Sequence, residues 1–379
     1  MGFVILRASK ENVKYVHVQP QSMRELLLAV AFALTCTAAS AQNAYIPYSE
    51  NNTVSVINTA NNTVTTTVEV GTNPFGVSVS PTGSKVYVTN NGSDNVSVID
   101  TANNTVTATV QVGANPRGVT VSPDGSKVFV ANYGGDNVSV IDTADNRVTA
   151  TVAVGHQPTG VSMSRDGSKV YVANLGSDTV SVINTSTNSV EKTVLVQAYP
   201  LGVTVSPDGS KVYVTNTGED TVSVINTADN RVTATVDVSA GGQEPYGVAV
   251  SPDNSKVYVT TIGSAKVWVI DAATNTVMTT VEVSGYPTGV SVSPDGSKVY
   301  VANLTGGSLA VINTADNTVS NTLQVGGGYT LGNFIGPDPD APTPTPPVPT
   351  LSQWAMIGLG LLLAGLALIQ VRRVRSTPA

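Results

Sequence analysis

Cysteine is almost missing from this chain. Cys36 stands alone, so no intramolecular disulfide and no cysteine metal cluster can form. Histidine is nearly as scarce: His17 and His156 are the only two, which leaves histidine-based metal or acid–base chemistry poorly supplied. Charged residues make up 12 % of the sequence, in no long run of one sign, and the net charge is −7. Nucleic acid calls for a basic face, and none is evident, so a nucleic-acid partner is excluded. What remains is rich in Val, Thr, Ser, Asn and Gly, a mixture that favours strands and turns over helices. At 379 residues the chain has room for one large or two medium domains.

Both ends read as targeting segments rather than fold. Residues 1–22 carry no pattern and form an upstream extension, with Met23 the expected start. Residues 23–41, MRELLLAVAFALTCTAASA, place Arg24 before an apolar run and end in a small-residue site. That is a secretory signal, cleaved between Ala41 and Gln42, with Cys36 inside the leader. At the other end, 339–348 is a Pro-rich spacer, extended and semi-rigid. Residues 354–371, WAMIGLGLLLAGLALIQV, contain no charge, and as a helix they would span roughly 27 Å, enough for a bilayer core. Arg372, Arg373 and Arg375 follow, which keeps that end cytoplasmic and everything before it outside.

The tail 349–379 as a whole resembles the IPTL-type C-terminal sorting signal of bacterial surface proteins. Pro349, Thr350, Leu351, Ser352 and Trp354 match its opening, the apolar helix and the arginines complete it, and Val348 replaces the usual isoleucine. The resemblance implies an exosortase-like membrane protease as processing partner. It also implies a membrane anchor that is transient, and release to the cell surface, the outer envelope or the medium.

Between the ends the sequence repeats. SPDGSKV occurs at 122–128, 206–212 and 293–299, with close variants at 80–86, 164–170 and 251–257. The glycine before each Val-x-Val, or Val-Ser-Met in one copy, falls at Gly76, Gly118, Gly160, Gly202, Gly247 and Gly289, spaced by 42, 42, 42, 45 and 42 residues. A period in this range with several short strands marks a propeller blade. Each unit holds four alternating runs; in the third copy they are GVTVS, KVFVAN, NVSVID and RVTATV. Pro-Asp-Gly supplies the turn between the first two, and short links make neighbouring runs antiparallel. The second-strand aromatic recurs seven times, from Tyr45 to Tyr300, whereas a complete first strand recurs six times. Residues 331–338, LGNFIGPD, are the expected seventh, closing the ring against 45–48. The expected fold is therefore all-β: a seven-bladed propeller of four-stranded antiparallel blades over 42–338, with Velcro closure, flanked by a signal helix and a C-terminal transmembrane helix.

The repeat resembles the YVTN family of beta-propellers of bacterial and archaeal surface layers. KVYVTN at 85–90 and 211–216 carries its Tyr-Val-Thr-Asn, which elsewhere becomes FVAN, YVAN or YVTT. This resemblance specifies fold far more than function.

Any site should lie where the copies differ. The hairpin turns barely change, but the residue ahead of each first-strand glycine does, giving Phe75, Arg117, Thr159, Leu201, Tyr246, Thr288 and Leu331. The loop after the second strand also changes and contributes Tyr133 and Leu175. Phe75, Arg117, Tyr133, Leu175, Leu201 and Tyr246 are the candidate binding rim, for a surface ligand that is a protein or a glycan. His156 has no histidine or cysteine partner, Arg117 and Glu244 alone define no reaction, and Trp268, standing where other copies have Ser, is expected to pack. No catalytic set, metal site or cofactor motif is visible. The expected role is a non-enzymatic adhesion or surface-layer protein. The alternative is a lactonase-like or other hydrolase using the channel mouth.

Overall fold

The structure, a computed structural model, describes residues 43–240 and 244–336. Its 27 strands form seven sheets, each hydrogen-bonded in sequence order. Blade 2 is representative: Pro74–Val79 innermost, then Lys85–Asn90, Asn95–Asp100 and Thr105–Gln111. Blades 3 to 7 repeat this order over 116–153, 158–195, 200–237, 245–282 and 287–324. The leader, the Ala41/Gln42 cleavage site, the spacer and the sorting signal, with its span at 354–371, lie outside the described residues. Among the described residues no helix is long and apolar enough to cross a membrane.

Alternation decides what each strand does. The second and third strands are buried on both faces because their sheets stack on neighbours, whereas fourth strands such as TVTATVQ bury one side chain, Val110, and show Thr to water. The second-strand aromatic packs forward into the next blade: Tyr87 sits in one cluster with Val119, Val128 and Ile141 of blade 3. Trp268 packs as expected, 4 % exposed, and donates its indole N–H to Thr261 at 3.2 Å. That pair stands where blade 2 has Asn90 donating to Ser97 at 2.9 Å.

The SPDGS turn is built as its residues suggest. In blade 3 the Ser122 carbonyl accepts Gly125 N–H at 2.8 Å, Asp124 accepts from Ser122 and Ser126, and Gly125 takes φ +71°. These hydrogen bonds, the one from the Ser122 hydroxyl foremost, hold the Asp124 carboxyl down at about 2.

Blade 1 is closed by the C-terminal segment, in a less regular form than the sequence implies. Asn43–Tyr48, Thr53–Asn58 and Thr63–Glu69 form a three-stranded sheet. Tyr45 N–H reaches the Phe334 carbonyl at 2.9 Å, Gly336 N–H reaches Asn43 at 3.4 Å, and Ala44 bridges Ile335. The pairing thus falls on 43–45, rather than along 45–48. Gly332, at φ +96°, breaks the extended run and turns Leu331 away to bridge Gly76 of blade 2. Phe334, fully buried, fills the gap between blades 7 and 1.

Candidate functional site

Inner strands of neighbouring blades approach backbone to backbone. A Cβ on Gly76 would run into the Arg117 carbonyl oxygen of the next blade, and one on Gly202 into that of Tyr246. Only glycine permits this spacing, which brings the residue before each glycine to the axis at one end of the channel. We call that end, which also carries the links between second and third strands, the mouth face. The SPDGS hairpins lie on the opposite face.

Five of the seven axial positions meet at the mouth. Phe75, Leu201, Tyr246 and Leu331 form one buried cluster, with Leu175 and Ile262 packed against it. Tyr329, from the Gly-rich run before the closing segment, stacks on Phe75 at 5.7 Å between centroids and on Tyr246 at 5.9 Å. The Arg117 guanidinium lies 5.4 Å from the Phe75 ring centre and 3.5 Å from that of Tyr133. Tyr133, Arg117, Phe75, Tyr329 and Tyr246 therefore make a continuous ladder of flat groups across the mouth. Burial lowers the Arg117 pKa and raises that of the Tyr246 hydroxyl. Beneath the ladder a cavity of about 310 Å³ runs down the axis, walled by glycines, valines and small hydroxyls such as Ser78, Thr120, Ser162 and Thr204.

The sequence-derived rim is thus gathered in one place, with Phe75, Leu201 and Tyr246 turned inward and Arg117, Tyr133 and Leu175 half-buried around them. Tyr329 was not among the candidates. Neither were the residues just before the inner strands of blades 2 to 7, which stand outside the ladder: Asn73, Asn115, Gln157, Tyr199, Glu244 and Tyr286. Tyr199, Tyr286 and Tyr329 are 56, 50 and 40 % exposed.

These mouth loops are braced. Asp178 accepts the Tyr199 N–H at 2.9 Å, as Asp94, Asp136 and Asp220 do for Asn115, Gln157 and Glu244. His156 lies among them, 76 % exposed, with Nδ1 2.8 Å from Asp136; the Gln157 N–H foremost, and then this imidazole, hold that carboxyl below its usual range. Among the described residues no three His, Cys, Asp or Glu side chains are grouped to hold a metal.

The sequence profile of the IPTL-CTERM motif matches residues 346–373, which marks an exported, surface-associated protein. That of the Cytochrome D1 heme domain matches 40–333. No curated protein matches. Among solved structures, Kuenenia stuttgartiensis hydrazine synthase is similar at 25 % identity, over 72 % of this chain and 92 % of that one, with a TM-score of 0.66. A functionally unknown protein from Desulfotomaculum acetoxidans DSM 771 follows at 16 % identity, over 79 and 100 %, with a TM-score of 0.68. The dihydro-heme d1 dehydrogenase NirN in complex with DHE is similar at 17 %, over 77 and 65 %, with a TM-score of 0.59; the latter two likenesses are of fold alone. By its propeller, the chain belongs to the Cytochrome D1 heme domain family.

Proposed function

We propose that this protein is a non-enzymatic, exported surface protein whose mouth face is a binding face. One observation carries the reading. At positions made equivalent by the repeat, the mouth loops hold Asn, Gln, Glu and exposed Tyr, while the hairpins of the opposite face are near copies. Equivalent backbone places impose equivalent structural demands, so divergence on one face alone points to contacts made outside the fold. The self-packed ladder favours binding over channel chemistry, because it fills the place where a substrate would enter.

The family's name raises haem, and the described residues do not fit it. A haem needs an axial His, Cys, Met or Tyr aimed into a slot that covers most of the macrocycle. Here Phe75, Tyr246 and Tyr329 occupy the mouth themselves, and the one cation among them, Arg117, lies between two rings. His156 stands outside on an exposed loop. The axial cavity is walled mainly by glycines, valines and small hydroxyls; Met163 is the one residue in its wall of a kind that ligates haem iron, and no His, Cys or Tyr joins it there.

Photo-crosslinking on intact cells tests the binding reading. The full chain is exported with a crosslinking residue at Asn115 or Glu244 on the mouth face, or at Ser126 or Ser210 on the hairpin face. Adducts are expected from the mouth positions only. Equal adducts from both faces, or none from the mouth, would overturn it.

A further inference from the structure

The mouth rim is chemically lopsided. Asn73, Asn115 and Gln157 occupy the positions before the inner strands on blades 2 to 4. On blades 5 to 7 the same positions hold Tyr199, Glu244 and Tyr286, while Tyr329 of the closing segment lies in the ladder. One side of the ring is therefore an arc of two half-open aromatic rings with a carboxylate between them.

Tyr199 shows that its ring is not there for the fold. Its φ is +55°, matching Asn73 at +53° and Asn115 at +50°. Asparagine tolerates this left-handed conformation; a bulky tyrosine is strained in it. The loop's backbone needs are met equally by Asn, since the N–H at this position is held by an equivalent acceptor in blades 2 and 3. A strained residue presenting a ring that is 56 % exposed is better explained by something that covers the ring.

We propose that this arc binds a neutral oligosaccharide or polysaccharide, whose pyranose rings stack on Tyr199 and Tyr286. The axial C–H groups of one sugar face form an apolar plate that matches a single phenol ring, while its hydroxyls need polar neighbours. The arc offers both, with Glu244 exposed between Tyr199 and Tyr286 in ring order. A protein partner is met through an apolar centre; here the apolar centre of the mouth, Phe75, Leu201, Tyr246 and Leu331, is already buried within the fold, and the exposed rings are set singly on separate blades. Charge narrows the class further. Asp94, Asp136, Asp178, Asp220 and Glu244 face the mouth loops, and Arg117 is enclosed by Phe75 and Tyr133. An acidic polymer would meet repulsion, with only Lys266, which stands opposite Glu282 in its sheet, and His156, which lies against Asp136, to offset it. Weak stacking at each ring becomes useful affinity once one chain engages both rings.

The inference rests on the mouth face being the binding face. Its test is titration of the purified full chain with cellohexaose, chitohexaose, mannohexaose and, as the acidic control, hexagalacturonate, followed by calorimetry and tyrosine fluorescence. At least one neutral probe is expected to bind, and the acidic one to bind more weakly. Tyr199→Ala and Tyr286→Ala should each weaken binding about three- to tenfold, and Met278→Ala, at an exposed residue of an outer strand, should not. Tyr199→Asn separates ligand contact from folding: its Tm should be equal or higher, because strain is relieved, while its affinity falls. No binding of any neutral probe, preference for the acidic one, or unchanged affinity in the tyrosine variants would overturn the saccharide assignment. If mouth-face crosslinks persisted in that case, only the ligand class would be lost.

Discussion

Thr89 donates its hydroxyl to the Arg117 carbonyl of the next blade at 2.6 Å and accepts the Gly76 N–H of its own inner strand at 2.8 Å. One side chain thus ties second strand, first strand and neighbouring blade together. Thr215 and Thr260 do the same, reaching the Tyr246 and Thr288 carbonyls at 2.8 and 2.7 Å. Where the second strand has Ala173 instead, the hydroxyl moves to the inner strand, and Thr159 reaches the Leu201 carbonyl at 2.9 Å. Ala302 is matched by Thr288 in the same way, with donation back to Ala302 at 3.2 Å. Blades 2 and 4 to 7 each keep one hydroxyl at this junction and vary which strand supplies it, whereas blade 3, with Ala131 beside Arg117, has none.

Removing that hydroxyl should therefore cost stability, and moving it should return part of the loss. Thr215→Ala leaves the buried Gly202 N–H without its acceptor, for a loss of about 1–3 kcal/mol. Leu201→Thr alone thins the mouth cluster. The double variant reproduces the Thr159/Ala173 arrangement, so it should be more stable than the sum of the single effects, with a coupling of about 0.5–3 kcal/mol. Urea unfolding of all four proteins measures this, and strict additivity would show the swap to be accidental.

The backbone approach at the axis predicts a second effect. Gly118→Ala places a methyl group against the Thr159 carbonyl of blade 4, and two strands embedded in neighbouring sheets must part. Overpacking of this kind costs about 1–3 kcal/mol. Gly125→Ala on the hairpin face meets no such backbone, and its penalty comes only from its φ of +71°. Both should melt lower than wild type, but only Gly118→Ala should disturb the mouth, which is seen as a change in near-ultraviolet tyrosine circular dichroism.

Acid should unfold the propeller through its hairpins. Hydrogen bonds from Ser122, Ser164, Ser206 and Ser251 lower the carboxyl pKa of Asp124, Asp166, Asp208 and Asp253, to about 2 in the first. A folded-state pKa below the unfolded one contributes stability that is complete above the unfolded value and is lost as pH falls through the folded value. The melting temperature should accordingly hold level above about pH 4 and decline toward pH 2. Replacing all four by Asn keeps an acceptor but removes the charge. That variant should have a flatter acid limb, and an identical limb in both proteins would assign acid sensitivity elsewhere.

Much of this architecture is legible in the sequence, for a physical reason. A strand period of two, a turn that requires Pro-Asp-Gly and a blade that must pack on its own copy all leave a repeating trace, so seven blades and a closing segment can be counted. The direction of Phe75, Leu201 and Tyr246 is not legible. Side chains that vary to meet a ligand and side chains that vary to fit one another at an axis look alike in a single chain. Tyr329 is hidden because Gly326, Gly327 and Gly328 obscure the register of the seventh copy, and the irregular pairing at 43–45 follows from Gly332. The Thr–Ala exchange was visible in principle, since Thr89 and Thr215 accompany Phe75 and Leu201 whereas Ala173 and Ala302 accompany Thr.

Ring closure predicts a large, localised sensitivity. Phe334 is fully buried among Tyr45, Ile46 and Tyr300, so it joins the last blade to the first. Phe334→Ala should cost about 3–5 kcal/mol and expose the seam before the rest of the ring. Hydrogen exchange should then quicken first in 43–48 and 298–303.

The mismatch with haem yields the last prediction. The full chain purified from its host should carry no Soret band, and added haem should give the spectrum of loosely associated porphyrin without a fixed stoichiometry. The argument is steric before it is chemical: the Phe75–Tyr329–Tyr246 stack fills the mouth, and the rings gain more from one another than from solvent. His156 is the only histidine among the described residues, so it is the decisive control. Uptake of one haem per chain that disappears in His156→Ala would mean that the stack opens and that the rim supplies an iron ligand after all. Uptake that is weak and equal in both proteins is the outcome that a closed mouth demands.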